Sequence, residues 1–404
     1  MKLQFKPLNV PILILSDDPG SLTGLGRVGR DIASLLCTLP QFRVGYLGRG
    51  SVGRRKFPFA QYSYPESGQW GEDYIAKVWN DFSGGDNGII WSNWDASRLL
   101  WFSQPHTLQS ANPELAKFLG EGRNFLKFGY FPIDGTGPNG YSLPVSMEAA
   151  VDGFDRVLAT SEWGMNTLKE GTADWLPHGI WMDKFKPFMP RGLEMAIQRT
   201  DRDYLSWKFD GVYLGCNMSN QSRKDWPAAF ECAAALKHDY GNRFHAWFHT
   251  DTPLRYWNFY ALAADYGVDD CTEVTLDLTD EQLALRYSAC DCTILPSGGE
   301  GFGYPIAESM ACGTACVVTD YAAGQELVGD DCKVQPVAFR VDTQHNVRRA
   351  VNSGYAFAQK AKGQIEAKRK DWEGRGEELR AKVEHLSWLK LKTIWERWFL
   401  DGLK

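Results

Sequence analysis

Short apolar runs recur along the chain, separated by longer stretches with helical spacing or turn residues. In the first half they are "ILIL" (12–15), "RVGYL" (43–47), "GIIWSN" (88–93), "LKFGYF" (126–131) and "DRVLAT" (155–160). Such runs predict strands with both faces apolar, as in a parallel sheet that helices cover on both sides. Residues 186–203, "KPFMPRGLEMAIQRTDRD", break the alternation and predict a link. A second series follows: "GVYLGC" (211–216), "RFHAWFHT" (243–250), "TEVTL" (272–276), "DCTIL" (291–295) and "TACVVTD" (314–320). Beyond it, 343–362 and 370–386 read as helices. The expected fold class is α/β, with two Rossmann-like doubly wound domains over 1–190 and 205–385. Ligands of such domains bind at the carboxyl ends of the strands, so two that face each other would form a cleft.

Composition narrows the picture little. Of 404 residues, 44% are hydrophobic and 23% charged, which reads as globular. No apolar run nears the ~20 residues that span a bilayer, so no transmembrane segment is expected. The N-terminal run precedes acids and predicts a first strand, not a signal peptide. Nine scattered cysteines predict buried free thiols and a reducing cytoplasm, not a zinc site. The net charge of −6 argues against a broad polyanion-binding surface. One window departs from it. Between 27 and 56, Arg27, Arg30, Arg43, Arg49, Arg54, Arg55 and Lys56 stand against Asp31 alone, seven minus one. That window reads as a solvated loop or as the place of an anionic partner.

Two glycine-rich stretches carry candidate chemistry. "TGLGRVGR" (23–30) follows the first strand and has the G-x-G-x-x-G spacing at Gly24, Gly26 and Gly29. A turn and helix start of this kind suits phosphate and sugar oxygens. A nicotinamide site also wants an acid at the end of the second strand. Arg49 stands there instead, which leaves an NADP-dependent oxidoreductase as an alternative from another class. The second stretch is "LPSGGEGFGYPIAESMACGTACVV" (295–318). A buried strand ends at Leu295, and four glycines surround Glu300. Pro305 opens a helix that Gly313 closes. Gly301, Phe302 and Gly303 adjoin Glu300, a group able to hold several hydroxyls. Glu308 lies within the helix. "SDDP" (16–19) reads as turn and cap chemistry, so no metal is expected, with Asp17 and Asp18 the fallback ligands. His178 lines the cleft or caps a turn. Trp91, Trp94 and Trp101 read as packing.

"SGGEGFGYPIAESMACGTACVVTD" closely resembles the donor signature of retaining glycosyltransferases of family 4, in the two-domain GT-B class. "WLPHGIWMDKFKP", "GVYLGCNMSNQSRKDW", "LRYSACDCTILPS" and "HLSWLKLKTIWERWF" resemble other parts of that family in the expected order. The resemblance implies that residues 386–404 form a helix crossing back to the first domain. It implies that Glu300 meets the donor's sugar hydroxyls and Glu308 its ribose. Arg223 and Lys224 would hold the diphosphate. Gly24, Leu25 and Gly26 would approach phosphate or sugar. Asp134 stands where relatives often carry histidine. The implied reaction is metal-free transfer of a hexose from a nucleotide sugar, expected to be UDP-linked, with no further cofactor. The foremost candidate acceptor is DNA with hydroxymethylated bases, which the basic window would suit; another sugar and a lipid-linked phosphate are the alternatives. A sugar-binding protein without catalysis is a third reading.

Overall fold

A computed structural model of the protein describes residues 3–6, 8–21, 23–50, 56–67, 70–188 and 210–404. The chain divides into two units. Unit 1 comprises Met1–His178, Thr343–Val347 and Lys392–Lys404; unit 2 comprises Gly179–Asp342 and Arg348–Leu391. Each is built on its own sheet.

The strands of unit 1 are β1 (Val10–Asp17), β2 (Phe42–Arg49), β3 (Ala60–Tyr64), β4 (Gly88–Ser92), β5 (Phe125–Phe131), β6 (Arg156–Ala159) and β7 (Asp174–Trp175). They pair in parallel in the order β3-β2-β1-β4-β5-β6-β7. β1 is buried along its length except at Asp17, as a central strand covered on both faces requires. The chain winds outward to β3 and then returns to β4. The carboxyl ends of β1 and β4 therefore form the switch point where doubly wound sheets bind ligands. The core is rich in aromatic residues, with Trp79, Trp94, Phe102 and Phe125 without exposed surface. Trp395 and Phe399, near the C-terminus, complete it. Trp395 packs edge-on to Tyr130 at 5.1 Å, and Phe399 lies 6.2 Å from Phe128. Trp91 and Trp94 are fully buried and Trp101 nearly so.

Unit 2 repeats the plan. Its strands are β8 (Val212–Asn217), β9 (Phe244–His249), β10 (Thr272–Thr275), β11 (Cys292–Leu295), β12 (Cys316–Thr319) and β13 (Lys333–Val334). They pair in parallel in the order β10-β9-β8-β11-β12-β13, so the switch point lies between β8 and β11. A separate antiparallel hairpin follows, β14 (Ala338–Val341) with β15 (Arg348–Val351).

All ten apolar runs fall on strands. The expected helix over 343–362 is corrected: its first part is the turn and second strand of the hairpin, and the helix is Gly354–Lys370. Asn346 takes φ +55° in the turn, a conformation asparagine tolerates. The expected link over 186–203 lies outside the described residues from 189 onward. All nine cysteines are free, eight of them buried and Cys37 partly so. Among the described residues, no helix is long and apolar enough to cross a membrane.

Candidate functional site

In unit 2 the segment after β8 and the loop after β11 are stitched together by backbone bonds. Gly298 N donates to Arg223 O at 2.8 Å, and Asp225 N to Pro296 O at 3.1 Å. Lys224 forms a single antiparallel bridge with Ser297. On the other side, Ala350 N from β15 donates to Gly298 O at 3.0 Å. A Cβ on Gly298 would lie 2.9 Å from Arg223 O and 3.1 Å from Ala350 O, so only glycine fits between the two chains.

This weave fixes Glu300 against two cations. Lys224 Nζ bonds Glu300 Oε1 directly. Arg223 Nη1 lies 3.6 Å from Glu300 Oε2 and donates to Gly299 O at 2.7 Å. The side chains of Lys224 and Glu300 are only 7% and 13% exposed. Burial pushes the Glu300 carboxyl up, but Lys224, Arg223 and a Ser297 hydrogen bond outweigh it and hold it below its ordinary value. Glu300 O also accepts from Ala323 N at 3.0 Å. The preceding Ala322 sits at φ +59°, a strained conformation for a residue with a Cβ.

The helix Tyr304–Ala311 begins at Gly303, whose φ of +95° turns the chain into it, with Pro305 in the first turn. Gly301, Phe302 and Gly303 are buried beside Glu300. Glu308 has no exposed surface. Tyr287 Oη donates to Glu308 Oε2 at 3.1 Å and accepts from Asn217 Nδ2 at 2.7 Å. The structure thus gathers Arg223, Lys224 and Glu300 at one point, and buries the Glu308 carboxylate against Tyr287.

In unit 1, Gly24, Leu25 and Gly26 form the first turn of the helix Gly24–Leu36, capped by Thr23 Oγ1 on Gly26 N. The three glycines differ in what surrounds them. A Cβ on Gly29 would lie 2.3 Å from Tyr46 Oη, and one on Gly26 2.6 Å from Asp18 O. A Cβ on Gly24 would meet nothing within 4 Å. Thr23 Oγ1 also donates to Asp17 Oδ2 at 2.7 Å. Burial raises the Asp17 carboxyl, opposed by Thr23, Arg98 and Arg49. Asp18 accepts from Gly20 N at 2.7 Å, a local turn bond. Among the described residues, no three His, Cys, Asp or Glu side chains gather as a metal-ligand set. Asp134 follows β5 and is half-buried.

His178 is buried, and Tyr130 Oη sits 3.1 Å from its Nδ1. That hydroxyl donates to Leu176 O at 2.9 Å, so Nδ1 carries the imidazole proton. Burial, with Arg27 nearby, lowers its pKa to about 3 and keeps the ring neutral.

The basic window is dispersed. Arg43 bonds Phe82 O and Ser83 O, and Arg30 pairs with Asp31 at 3.2 Å. Arg49 lies over the Trp70 ring at 4.3 Å and donates to Glu66 O at 2.7 Å. Arg54 and Arg55 lie outside the described residues.

Sequence reasoning missed Tyr287, Ser297 and the hairpin strand β15 as supports of Glu300 and Glu308. Tyr287 and β15 act through contacts distant in sequence, which no local pattern marks, whereas Ser297 stands three residues before Glu300 within the glycine-rich stretch itself.

Residues 256–367 match the family model described as Glycosyl transferases group 1. An MMP alpha-(1->4)-mannosyltransferase of Mycolicibacterium hassiacum is 37% identical over 70 residues, 17% of this chain and 17% of that protein. The O-antigen chain mannosyltransferase B of Escherichia coli is 33% identical over 95 residues, 23% of this chain and 25% of that one. These alignments therefore span a quarter or less of the curated relatives. The fold extends further. The structure of Anabaena HepE in complex with UDP-glucose superposes with a TM-score of 0.70 at 13% identity, covering 97% of this chain and 100% of that chain. The two-domain α/β architecture is that of GT-B glycosyltransferases. The resemblance of the C-terminal half to group 1 glycosyltransferases is borne out.

Proposed function

We propose that the protein is a retaining glycosyltransferase that moves a hexose from a nucleoside diphosphate sugar to an acceptor hydroxyl. The observation that carries this reading is the buried cluster of Arg223, Lys224 and Glu300 at the switch point of unit 2. The group 1 match over 256–367 supports it, and so does a fold shared with a protein that binds UDP-glucose.

In this mechanism the bond between the anomeric carbon and the diphosphate breaks. Positive charge develops on the sugar ring and negative charge on the departing phosphate. Arg223 and Lys224 stabilise the latter where it forms. Glu300 accepts hydrogen bonds from sugar hydroxyls and orients the ring. A departing phosphate oxygen takes the acceptor's proton as the acceptor oxygen attacks the same face, so anomeric configuration is retained. Glu308 is assigned the donor's ribose, reached by displacement of the surface above it. Gly24, Leu25 and Gly26 are assigned contact with the phosphate or sugar, and Asp134 the acceptor side. The two cations make a metal ion unnecessary. UDP is the expected nucleotide.

For the acceptor we favour a saccharide hydroxyl. Arg30, Arg43 and Arg49 are engaged within unit 1, so of the basic window the DNA reading keeps Arg27, Arg54, Arg55 and Lys56. The names of both mannosyltransferase relatives agree with a saccharide. The test offers UDP-glucose and other nucleotide sugars with a panel of saccharides and hydroxymethylated duplex DNA, in excess EDTA. The expected result is an α-linked saccharide product from an α-linked donor. A β-linked product refutes retention, and strict dependence on added Mg²⁺ or Mn²⁺ refutes the metal-free mechanism. Transfer to DNA alone restores the other acceptor.

A further inference from the structure

The cations assigned to the diphosphate and the carboxylate assigned to the sugar neutralise each other. Lys224 holds Glu300 Oε1 and Arg223 lies 3.6 Å from Oε2, so both carboxylate oxygens face a cation. With 7% of Lys224 and 13% of Glu300 exposed, water compensates neither charge well. Gly298 N to Arg223 O and the Lys224–Ser297 bridge lock the two backbone segments together, so only the side chains can exchange partners.

We propose that Glu300 is an intramolecular competitor of the donor's diphosphate, so that the site holds a nucleotide firmly only while a sugar is attached to it. This rests on the donor-site reading above. A diphosphate arriving at Arg223 and Lys224 draws them away from Glu300. It leaves a poorly hydrated carboxylate beside a new anion, a costly arrangement. The sugar's hydroxyls remove the penalty, since each donates a hydrogen bond to the carboxylate in place of the lost cation. A bare nucleoside diphosphate lacks the hexose, and its ribose hydroxyls are assigned to Glu308. Once the sugar has been transferred, Glu300 reclaims its cations and weakens the hold on the product. One residue thereby favours donor over product and speeds product release. Ser297 and the Ala323 N bond to Glu300 O keep the carboxylate in place through the exchange.

Titration calorimetry of the full chain tests this, using UDP, GDP and ADP and the matching glucose conjugates. Wild type is expected to bind the sugar nucleotide at least about tenfold more tightly than the bare diphosphate. In Glu300→Gln the preference should collapse, with the bare diphosphate bound on the order of tenfold more tightly than by wild type. Product inhibition should strengthen in parallel as turnover falls. Circular dichroism checks folding. Glu300→Ala, which also removes the charge, replaces the glutamine variant should that one misfold. If wild type binds a nucleoside diphosphate and neither variant binds it more tightly, the competition is refuted and the donor site survives. If wild type binds none of the three diphosphates or their conjugates, donor site and competition fall together.

Discussion

At the residue scale, burial without full compensation leaves a measurable trace. Lys127 lies in β5 with almost no exposed surface, and its Nζ donates to Phe102 O at 2.6 Å. Burial, then the repulsion of Arg123, lowers its pKa to about 7, against partial rescue by Asp155. An unfolded chain would titrate the same lysine at about 10.4. Between these values the unfolded state binds a proton that the folded state does not, so stability rises with pH. The penalty is fully present below pH 7 and gone above the unfolded pKa. Denaturant unfolding at pH 7 and pH 9 should show a gain in wild type that Lys127→Met loses, at most about 1.4 kcal/mol per pH unit. Equal gains in the two proteins would show that Lys127 is hydrated in the folded state. The lysine is visible in "LKFGYF", but its state is not, because that depends on Phe102, Arg123 and Asp155 brought in by the fold.

At the element scale, the glycines of "TGLGRVGR" separate packing from approach. Tyr46 has no exposed surface, donates to Asp17 O at 2.8 Å and stacks on Phe59 at 5.4 Å. It cannot swing aside for a Cβ on Gly29. Gly29→Ala should therefore destabilise unit 1 by about 1–3 kcal/mol through overpacking. Gly24→Ala meets open space and should leave the melting temperature unchanged or slightly higher. If a ligand approaches this turn, the same methyl should raise KM several-fold. Melting curves beside kinetics decide it, and unchanged kinetics would return Gly24 to a purely structural role. The pattern of the sequence made the central strands legible because they are apolar throughout. It hid β3, whose "AQYSY" is an exposed edge with one buried residue, and β7 and β13, each two residues long. It misread 343–353 because short runs such as "VRRAV" satisfy helical and strand spacing alike. There β15 is chosen by its pairing with β14 and by Gly298. The donor signature was legible because its chemistry is contiguous. Its supports Asn217 and Tyr287 were not, since they join it only through tertiary contacts.

At the scale of the whole molecule, charge and topology together bear on the acceptor. Both units follow the strand order that places a ligand at the first and fourth strands. The carboxyl ends at that point in unit 1 carry Asp17 and the residues after Ser92, not a basic stripe. Arg49 is committed to Trp70 and Glu66, and Arg98 to Asp95 at 3.3 Å and to the Trp70 ring at 4.1 Å. With a net charge of −6, the chain as a whole repels a polyanion. A protein making six to ten phosphate contacts would lose roughly 10³–10⁵ in affinity between about 50 and 200 mM salt, as counterions are released. A neutral saccharide releases none. The acceptor KM should therefore change by less than about twofold over that range. Replacing Arg54 and Arg55 by alanine should leave both that KM and donor affinity where they were. Kinetics at several salt concentrations, wild type beside the double variant, make the comparison. A steep salt dependence that the double variant flattens by about one unit of log–log slope per lost contact would instead assign the basic window to an anionic acceptor. Loss of donor binding in that variant would place the window at the donor's phosphates and move the division of labour between the two units.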